Sequence, residues 1–395
     1  MSWSESMTGF ESHKLLWSVI EDDELVHVRS VAEFLQKEYG AVGGNIAWSE
    51  DFLKWKLGHS NPAGKGYLAF AEFQGNIVGT MTLVPKRIWF NGQESIIGEI
   101  GDTYTHPDFL KPSMLKNARC ATKNPGYDQA DEYLNKSIFG RLATQIRFRA
   151  RAEGITEIYG TPNNKALPGW TKKLGYIVPN NAGIYARVVP SVEMVLNKHR
   201  TAKPLAYLIS FFLKICRFSA LFTIRNYSNQ YHIQKLDELA GSDFDQFWFR
   251  VRNNYQLSFI KDSAWIRWRY QSNPLAQYDI FVLKESDRIV GWVVLKRFIG
   301  PGGRCLIIAD WVFDTDENVA TALIKSILRK KIYRGDAIII WSSDDVPFIS
   351  WLRWISFFRR RKLNIMFHRD SKLLFGSSQC GKWQQAFTMG STDNV

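Results

Sequence analysis

The chain has 395 residues, 45% hydrophobic, 23% charged and 14% aromatic, a length that calls for more than one core and a composition that excludes a disordered or collagen-like chain. Its net charge of +13 attracts polyanions. Lys and Arg are dispersed, however, with short clusters only at Arg329–Lys331 and Arg359–Lys362, so no nucleic-acid arm is expected.

Met1 to Glu24 is polar and acidic with no apolar core of an export signal, and Cys120, Cys216, Cys305 and Cys380 lie far apart without a CxxC pair. A cytoplasmic protein without a disulfide framework is expected. The His residues show no HxH or HxxxH spacing, so no metal site is expected either. The 15 Trp and 26 Phe exceed what core filling usually takes, which points to aromatic surface in a cleft or interface.

In chain order, Tyr67–Glu72 and Ile77–Val84 flank Gln74-Gly75-Asn76 and read as a hairpin, with further strand at Arg87–Phe90 and Ile96–Tyr104. Ser137–Arg151 has Ile138, Leu142 and Ile146 in helical spacing, with Arg141, Arg147 and Arg151 elsewhere on the wheel. Glu157–Gly160 reads as strand, Leu167–Lys173 as a short helix closed by Gly175, and Tyr176–Val178 as strand. Val192–Arg225 reads as a helical connector. Its apolar part, Leu205–Phe222, is interrupted by Lys214 and Arg217 and is too short to span a bilayer; it is read as an amphipathic helix packed on a domain, with an interfacial membrane helix as the alternative and no stable membrane insertion.

The later half gives strands Tyr278–Leu283, Ile289–Phe298 and Cys305–Phe313, helix Val319–Lys331, strand Ala337–Trp341 and helix Pro347–Phe358. Gly300-Pro-Gly-Gly303 reads as a hairpin turn.

The two halves repeat. Phe52-Leu-Lys-Trp55-Lys-Leu-Gly-His-Ser-Asn61-Pro62 matches Trp265-Ile-Arg-Trp268-Arg-Tyr-Gln-Ser-Asn273-Pro274, and in both copies a Gly, Gly79 or Gly291, follows the Asn by 18 residues. A tandem duplication explains this. The expected organisation is 1–190, a connector 191–225, and 226–395, each domain an α+β unit with a mixed, largely antiparallel sheet flanked by helices.

Gly101-Asp102-Thr103-Tyr104-Thr105-His106-Pro107-Asp108-Phe109, Gly160-Thr161-Pro162-Asn163 and Trp170-Thr171-Lys172-Lys173-Leu174-Gly175-Tyr176 together resemble the fourth strand, fifth strand and following turn of the GNAT acyl-CoA N-acyltransferases. The resemblance is best over residues 50 to 190. It implies a tandem GNAT-like fold with acyl-CoA as co-substrate. It further implies that Tyr104 and Thr105 flank the pantetheine arm and that Lys136, Ser137, Ile138, Phe139, Gly140 and Arg141 form the helix start facing the pyrophosphate, through backbone N–H groups and the helix dipole. The family's Arg/Gln-x-x-Gly-x-Gly/Ala signature is matched poorly there, with Leu134, Ser137 and Phe139 in its key places.

The resemblance makes Asp102 the candidate base, with Glu99 three residues earlier on the other face by strand alternation, and His106 shaping the turn before Pro107. Thr171 stands where the family often has a Tyr acid; Tyr159, Tyr176 or Tyr185 are the possible substitutes. Asn163 matches a polar residue that bonds the pantetheine or the acyl oxygen. The second copy meets the phosphate position with Asp314, Asp316 and Glu317, so it is expected to have lost the CoA site and to supply acceptor surface through Trp265, Arg267, Arg269 and Tyr270. Trp55 and Trp268 recur at matching places, which also fits a shared scaffold.

The motif set resembles the members of the family that acylate nucleotide-linked amino sugars such as dTDP-3-amino-3,6-dideoxyhexoses for O-antigen or capsule, with an acetyl or 3-hydroxyacyl group such as 3-hydroxybutanoyl. The alternatives are a Fem-type aminoacyl ligase, whose helical hairpin has no counterpart here, and a non-catalytic acyl-CoA-binding protein. N-myristoyltransferases are also tandem, but Gly390–Val395 reads as a loose tail.

Overall fold

The computed structural model describes residues 16–40, 48–109, 119–120, 137–179, 182–188, 204, 205, 207, 208, 211, 230–300, 303–314, 317–329, 337–343, 357–369, 371, 373 and 388. Lys136, Leu134 and most of the connector lie outside them, as do residues 347–356 of the helix expected at 347–358; Phe357 and Phe358 at its end lead into a strand.

In chain order the first elements are β1 (Leu16–Glu21), α1 (Val28–Gly40), α2 (Glu50–Leu57), β2 (Tyr67–Phe73), β3 (Asn76–Phe90), β4 (Gln93–Thr105), β5 (Arg119–Cys120), α3 (Ile138–Ala152), β6 (Ile158–Gly160), α4 (Leu167–Lys173), β7 (Tyr176–Ile177) and β8 (Ala182–Val188). Then come β9 (His232–Lys235), α5 (Ser242–Val251), β10 (Leu257–Phe259), α6 (Ser263–Ile266), β11 (Asp279–Glu285), β12 (Arg288–Gly300), β13 (Gly303–Phe313), α7 (Glu317–Arg329), β14 (Ala337–Ser343), β15 (Phe358–Lys362) and β16 (Met366–His368). The mixed sheets flanked by helices are those expected from the sequence, and Gly300 pairs with Gly303 as the hairpin reading required.

The chain divides into two compact units, one made of Met1–His59, Lys65–Pro85 and Ile100–Thr156, the other of Ser60–Gly64, Lys86–Glu99 and Glu157–Val395. In the first, β1 and β2 pair antiparallel, as do β2 and the start of β3. Leu35 of α1, Leu53 and Leu57 of α2, and Leu142 and Ala143 of α3 are fully buried with Ala69, Met81 and Leu83 of the strands. The helical spacing of Ile138, Leu142 and Ile146 does put all three inside, but Arg141 is buried with them, so the basic side of α3 is narrower than the wheel implied.

In the second unit a seven-stranded sheet runs β15-β8-β14-β13-β12-β11-β9. Its β13 and β14 are parallel, and α7 lays Val319, Ala320, Leu323, Ile324 and Ile327 on its core. The same unit contains β6 and β7, with β16 between them. Thus β8, which closes the first repeat in sequence, pairs with β14 and β15 of the second, while β16 of the second repeat pairs with β6 and β7 of the first.

The duplication holds in detail. Register shifts fall between Ala71 and Glu72 in β2 and between Leu283 and Lys284 in β11, at the same offset as Asn61 to Asn273. Each Asn makes the same turn: Asn61 Oδ1 accepts from the Ala63 N–H at 3.0 Å and Asn273 Oδ1 from the Leu275 N–H at 2.9 Å.

Candidate functional site

Asp102 sits near the end of β4 with φ of +48°, a left-handed conformation that a non-glycine residue adopts only when its surroundings hold it. Three contacts do so within the first unit. The Lys56 ammonium of α2 donates to Asp102 Oδ2 at 2.9 Å, the Thr82 hydroxyl of β3 donates to the same oxygen at 2.8 Å, and the Thr80 hydroxyl donates to the Asp102 carbonyl at 2.7 Å. The Lys56 and Asp102 side chains are only 2% and 3% exposed. A buried carboxylate of this kind is stable only with its counter-charge and hydrogen bonds in place.

Gly101 leaves room for the pair, since a Cβ there would lie 3.0 Å from Lys56 Nζ and 3.3 Å from Thr82 Oγ1. The left-handed turn also interrupts strict strand alternation at Asp102, so the expected placement of Glu99 on the opposite face does not follow from spacing. Glu99 is itself buried in the second unit, 3.5 Å from Lys86, whose ammonium lies 4.7 Å from the Trp268 ring centroid.

Half-buried aromatic rings stand beside Asp102. The Tyr39 hydroxyl donates to the Thr103 carbonyl at 3.0 Å, and its ring stacks on Trp48 at 5.7 Å and meets Tyr104 edge-on at 5.3 Å. Phe34 touches Tyr104 from the other side, and the Tyr104 hydroxyl donates to Glu38 at 2.8 Å. Burial, reinforced by the Asp102 charge, pushes the Tyr39 phenol up to about 12. Burial and then Glu38 raise Tyr104 as well. Both are therefore neutral donors near pH 7. Trp48 also lines a groove of about 480 Å³ with Arg29, Gln36, Lys37, Ser49 and Glu50.

The end of β4 meets the start of α3 across Gly79. The His106 N–H donates to the Val78 carbonyl, and a Cβ on Gly79 would lie 2.7 Å from Ile138 and 3.1 Å from the Tyr104 carbonyl. Ser137 is the N-cap of α3, its hydroxyl accepting from the Gly140 N–H at 3.0 Å. Tyr104, Ser137, Ile138 and Gly140 are thereby gathered in one place. Phe139 follows in the same helical turn, and Thr105 is the last residue of β4.

Other candidates are placed differently. His106 Nδ1 accepts from the Asp108 N–H at 3.4 Å, the turn-shaping contact. Asn163 spends Oδ1 on the N–H groups of Lys165 and Ala166, both at 2.9 Å, at the entry to α4. Tyr176 is buried in the second unit between Trp170 and His368. Trp265, Arg269 and Tyr270 are buried too, and in this structure offer an acceptor no open surface; Arg267 alone of that run is exposed.

Two of these, Trp265 and Tyr270, turn inward onto Asp310. The N–H of Asp314 bonds the Val290 carbonyl as His106 bonds Val78, so Asp310, four residues earlier, is the repeat's counterpart of Asp102. It is fully buried and accepts from Lys261 at 2.5 Å, Tyr270 at 2.6 Å, Thr388 at 2.8 Å, Trp265 Nε1 at 3.3 Å and the Trp311 N–H at 2.9 Å. Among the described residues five donors close that carboxylate, whereas Asp102 has two, both on Oδ2.

Sequence reading missed Lys56 and the Asp310 equivalence. The signal for Lys56 was available: with Phe52, Leu53 and Leu57 it falls on the buried face of α2, and a lysine there requires a buried acid.

No protein-family model and no curated protein matches the chain. Solved structures do. A GCN5-related N-acetyltransferase from Anabaena variabilis is 12% identical with a TM-score of 0.56, covering 88% of this chain and 72% of that one. Saccharomyces cerevisiae N-myristoyltransferase with bound myristoyl-CoA is 11% identical with a TM-score of 0.54 over 89% of this chain and 82% of that one. A GCN5-related N-acetyltransferase from Kribbella flavida is 11% identical with a TM-score of 0.53 over 91% and 72%. The fold is GNAT-like. At these identities the likeness is one of fold, and the two sheets fit tandem domains.

Proposed function

We propose that the chain is an acyl-CoA-dependent N-acyltransferase that acylates the amino group of a nucleotide-linked sugar. The observation that carries this reading is the strained Asp102, buried against Lys56 and Thr82 at the end of the strand that meets the capped start of α3. The GNAT-like fold supports it, as does the sequence resemblance of the Gly101–Phe109 and Gly160–Asn163 segments.

Acyl-CoA fits the residues present. The first turn of α3, fixed by Ser137, presents backbone N–H groups and a positive dipole end suited to a pyrophosphate, and the close approach at Gly79 sets it beside Tyr104 and Thr105. Among the described residues Lys56 and Thr82 both hold Oδ2, and Oδ1 of Asp102 is the atom assigned in this reading to take the proton of the attacking amine. The amine nitrogen attacks the thioester carbonyl, the C–N bond forms as the C–S bond breaks, and the leaving thiolate takes a proton from solvent or from the protonated Asp102. The stacked Tyr39 and Trp48 rings suit a base or a sugar, while in the groove beyond Trp48 Arg29 is held by Glu50 at 2.8 Å and Lys37 faces Glu33 and Glu50 in the same lining.

Thiol release from acetyl-CoA, measured over amino sugars, nucleotide-linked amino sugars and polyamines, tests this. Turnover on the nucleotide-linked sugars is expected. Turnover confined to polyamines would overturn the acceptor assignment, and an absence of CoA binding by titration calorimetry would overturn the enzyme reading.

A further inference from the structure

We infer that Glu38 and the aromatic wall around Tyr104 form a subsite that holds the acceptor by its ammonium group. All its members belong to the first unit. Glu38, near the end of α1, is half-buried, and among the described residues its carboxylate takes the Tyr104 hydroxyl at 2.8 Å and touches no cationic side chain. The other acids nearby are paired: Glu50 with Arg29 at 2.8 Å and Lys54 at 2.7 Å, Asp102 with Lys56 at 2.9 Å. Partial burial weakens the hydration of the Glu38 carboxylate without supplying a counter-ion, and an arriving cation recovers that loss.

The rings decide what kind of cation. Phe34 and Tyr39 meet the Tyr104 ring edge-on at 5.6 and 5.3 Å, and Trp48 stacks on Tyr39 at 5.7 Å. All four are half-buried, so part of each is open to a ligand. Aromatic faces attract organic ammonium groups, and a carboxylate at their border accepts the N–H bonds. Burial first, and the adjacent carboxylates after it, raise both phenols, so the hydroxyls stay neutral near pH 7 and the charge at this wall is that of Glu38. A phosphate would be repelled there, which assigns the subsite to the amine end of the acceptor. Tyr39 connects the wall to Asp102, since its hydroxyl bonds the carbonyl of the next residue, Thr103. Delivery of the amine to Asp102 rests on the acyltransferase reading; capture of the cation does not. The second repeat lacks this wall: Val312, which is buried, follows Asp310 by two residues where Tyr104 follows Asp102 by two.

The test is titration of the full chain, without CoA and at fixed ionic strength, with cyclohexylammonium chloride and with cyclohexanol, followed by tryptophan fluorescence and calorimetry. The ammonium should bind at least about tenfold more tightly than the alcohol. Glu38→Gln, which still offers the Tyr104 hydroxyl an acceptor and so should fold, should abolish that preference, whereas Tyr104→Phe, which keeps the ring and the carboxylate, should retain it. Equal binding of the two probes by the unaltered chain overturns the inference. So does a preference that survives in Glu38→Gln, including the case in which that variant only melts earlier, since Glu38 would then be a tie between α1 and β4. With an amine that turns over in the thiol-release assay, Glu38→Gln should raise the acceptor KM about tenfold with kcat and CoA affinity unchanged; a fall in kcat at unchanged KM overturns the assignment. Thiol release with no amine at all would count against the acyltransferase reading alone, because the comparison of the two probes needs no reaction and decides the cation site by itself.

Discussion

At Asp102 the chain departs from regular backbone and places a carboxylate among donors drawn from a helix and a neighbouring strand. Removing one partner strands the other charge in the interior. Lys56→Met should therefore cost about 3–5 kcal/mol of stability, and Lys56→Met with Asp102→Leu should recover much of it. Urea unfolding of the single and double variants checks this; a single variant as stable as wild type would mean that the pair is not held as described. The residue scale also shows where sequence reading failed. Trp265, Arg269 and Tyr270 look like recognition surface because cations and aromatics alternate, but Asp310 supplies a buried acceptor for Trp265 and Tyr270 that no local pattern announces.

Between elements, the tightest junction of the candidate site is the glycine contact of β3 with α3. Gly79 lies 2.7 Å from Ile138 by its notional Cβ, whereas Gly291, its counterpart, has nothing nearer than 3.3 Å. Gly79→Ala should cost about 1–3 kcal/mol by overpacking and weaken CoA binding by shifting the start of α3, while Gly291→Ala should be milder and leave CoA binding unchanged. Titration calorimetry and denaturant melts on both variants decide it; equal loss of CoA affinity in both would contradict the site. Ser137→Ala should cost about 1 kcal/mol as a lost cap and weaken CoA binding in the same assay. The hairpins, α3, α4 and α7 were legible because amphipathic spacing and turn residues are local signals. The exchange of β8 and β16 was not, because their partners are set by long-range pairing and β16 is only three residues long. A cut near residue 190 would leave β8 without β14 and β15 and deprive β6 and β7 of β16.

For the whole molecule, the buried tyrosines set an alkaline limit. Burial raises Tyr39, Tyr104, Tyr255 and Tyr270, the first to about 12. A phenol whose folded pKa exceeds its unfolded value of about 10 contributes stability that is complete below pH 10 and lost as pH rises through the folded value. The urea midpoint should hold steady up to about pH 9.5 and fall between pH 10 and 12, less steeply in Tyr39→Phe. A midpoint that rises over that interval would contradict the burial.

In the proposed reaction Asp102 takes the proton of an amine attacking acyl-CoA. That step is tested most directly by the pH profile of kcat for Asp102→Asn beside wild type, with thiol release as readout and folding verified by melts. The account predicts a fall of about 10²- to 10⁴-fold near neutral pH with little change in CoA affinity, partly rescued at alkaline pH where the amine arrives neutral. Glu99→Gln should do less. Near-full kcat in Asp102→Asn, with the loss appearing instead in Glu99→Gln or His106→Asn, would contradict it.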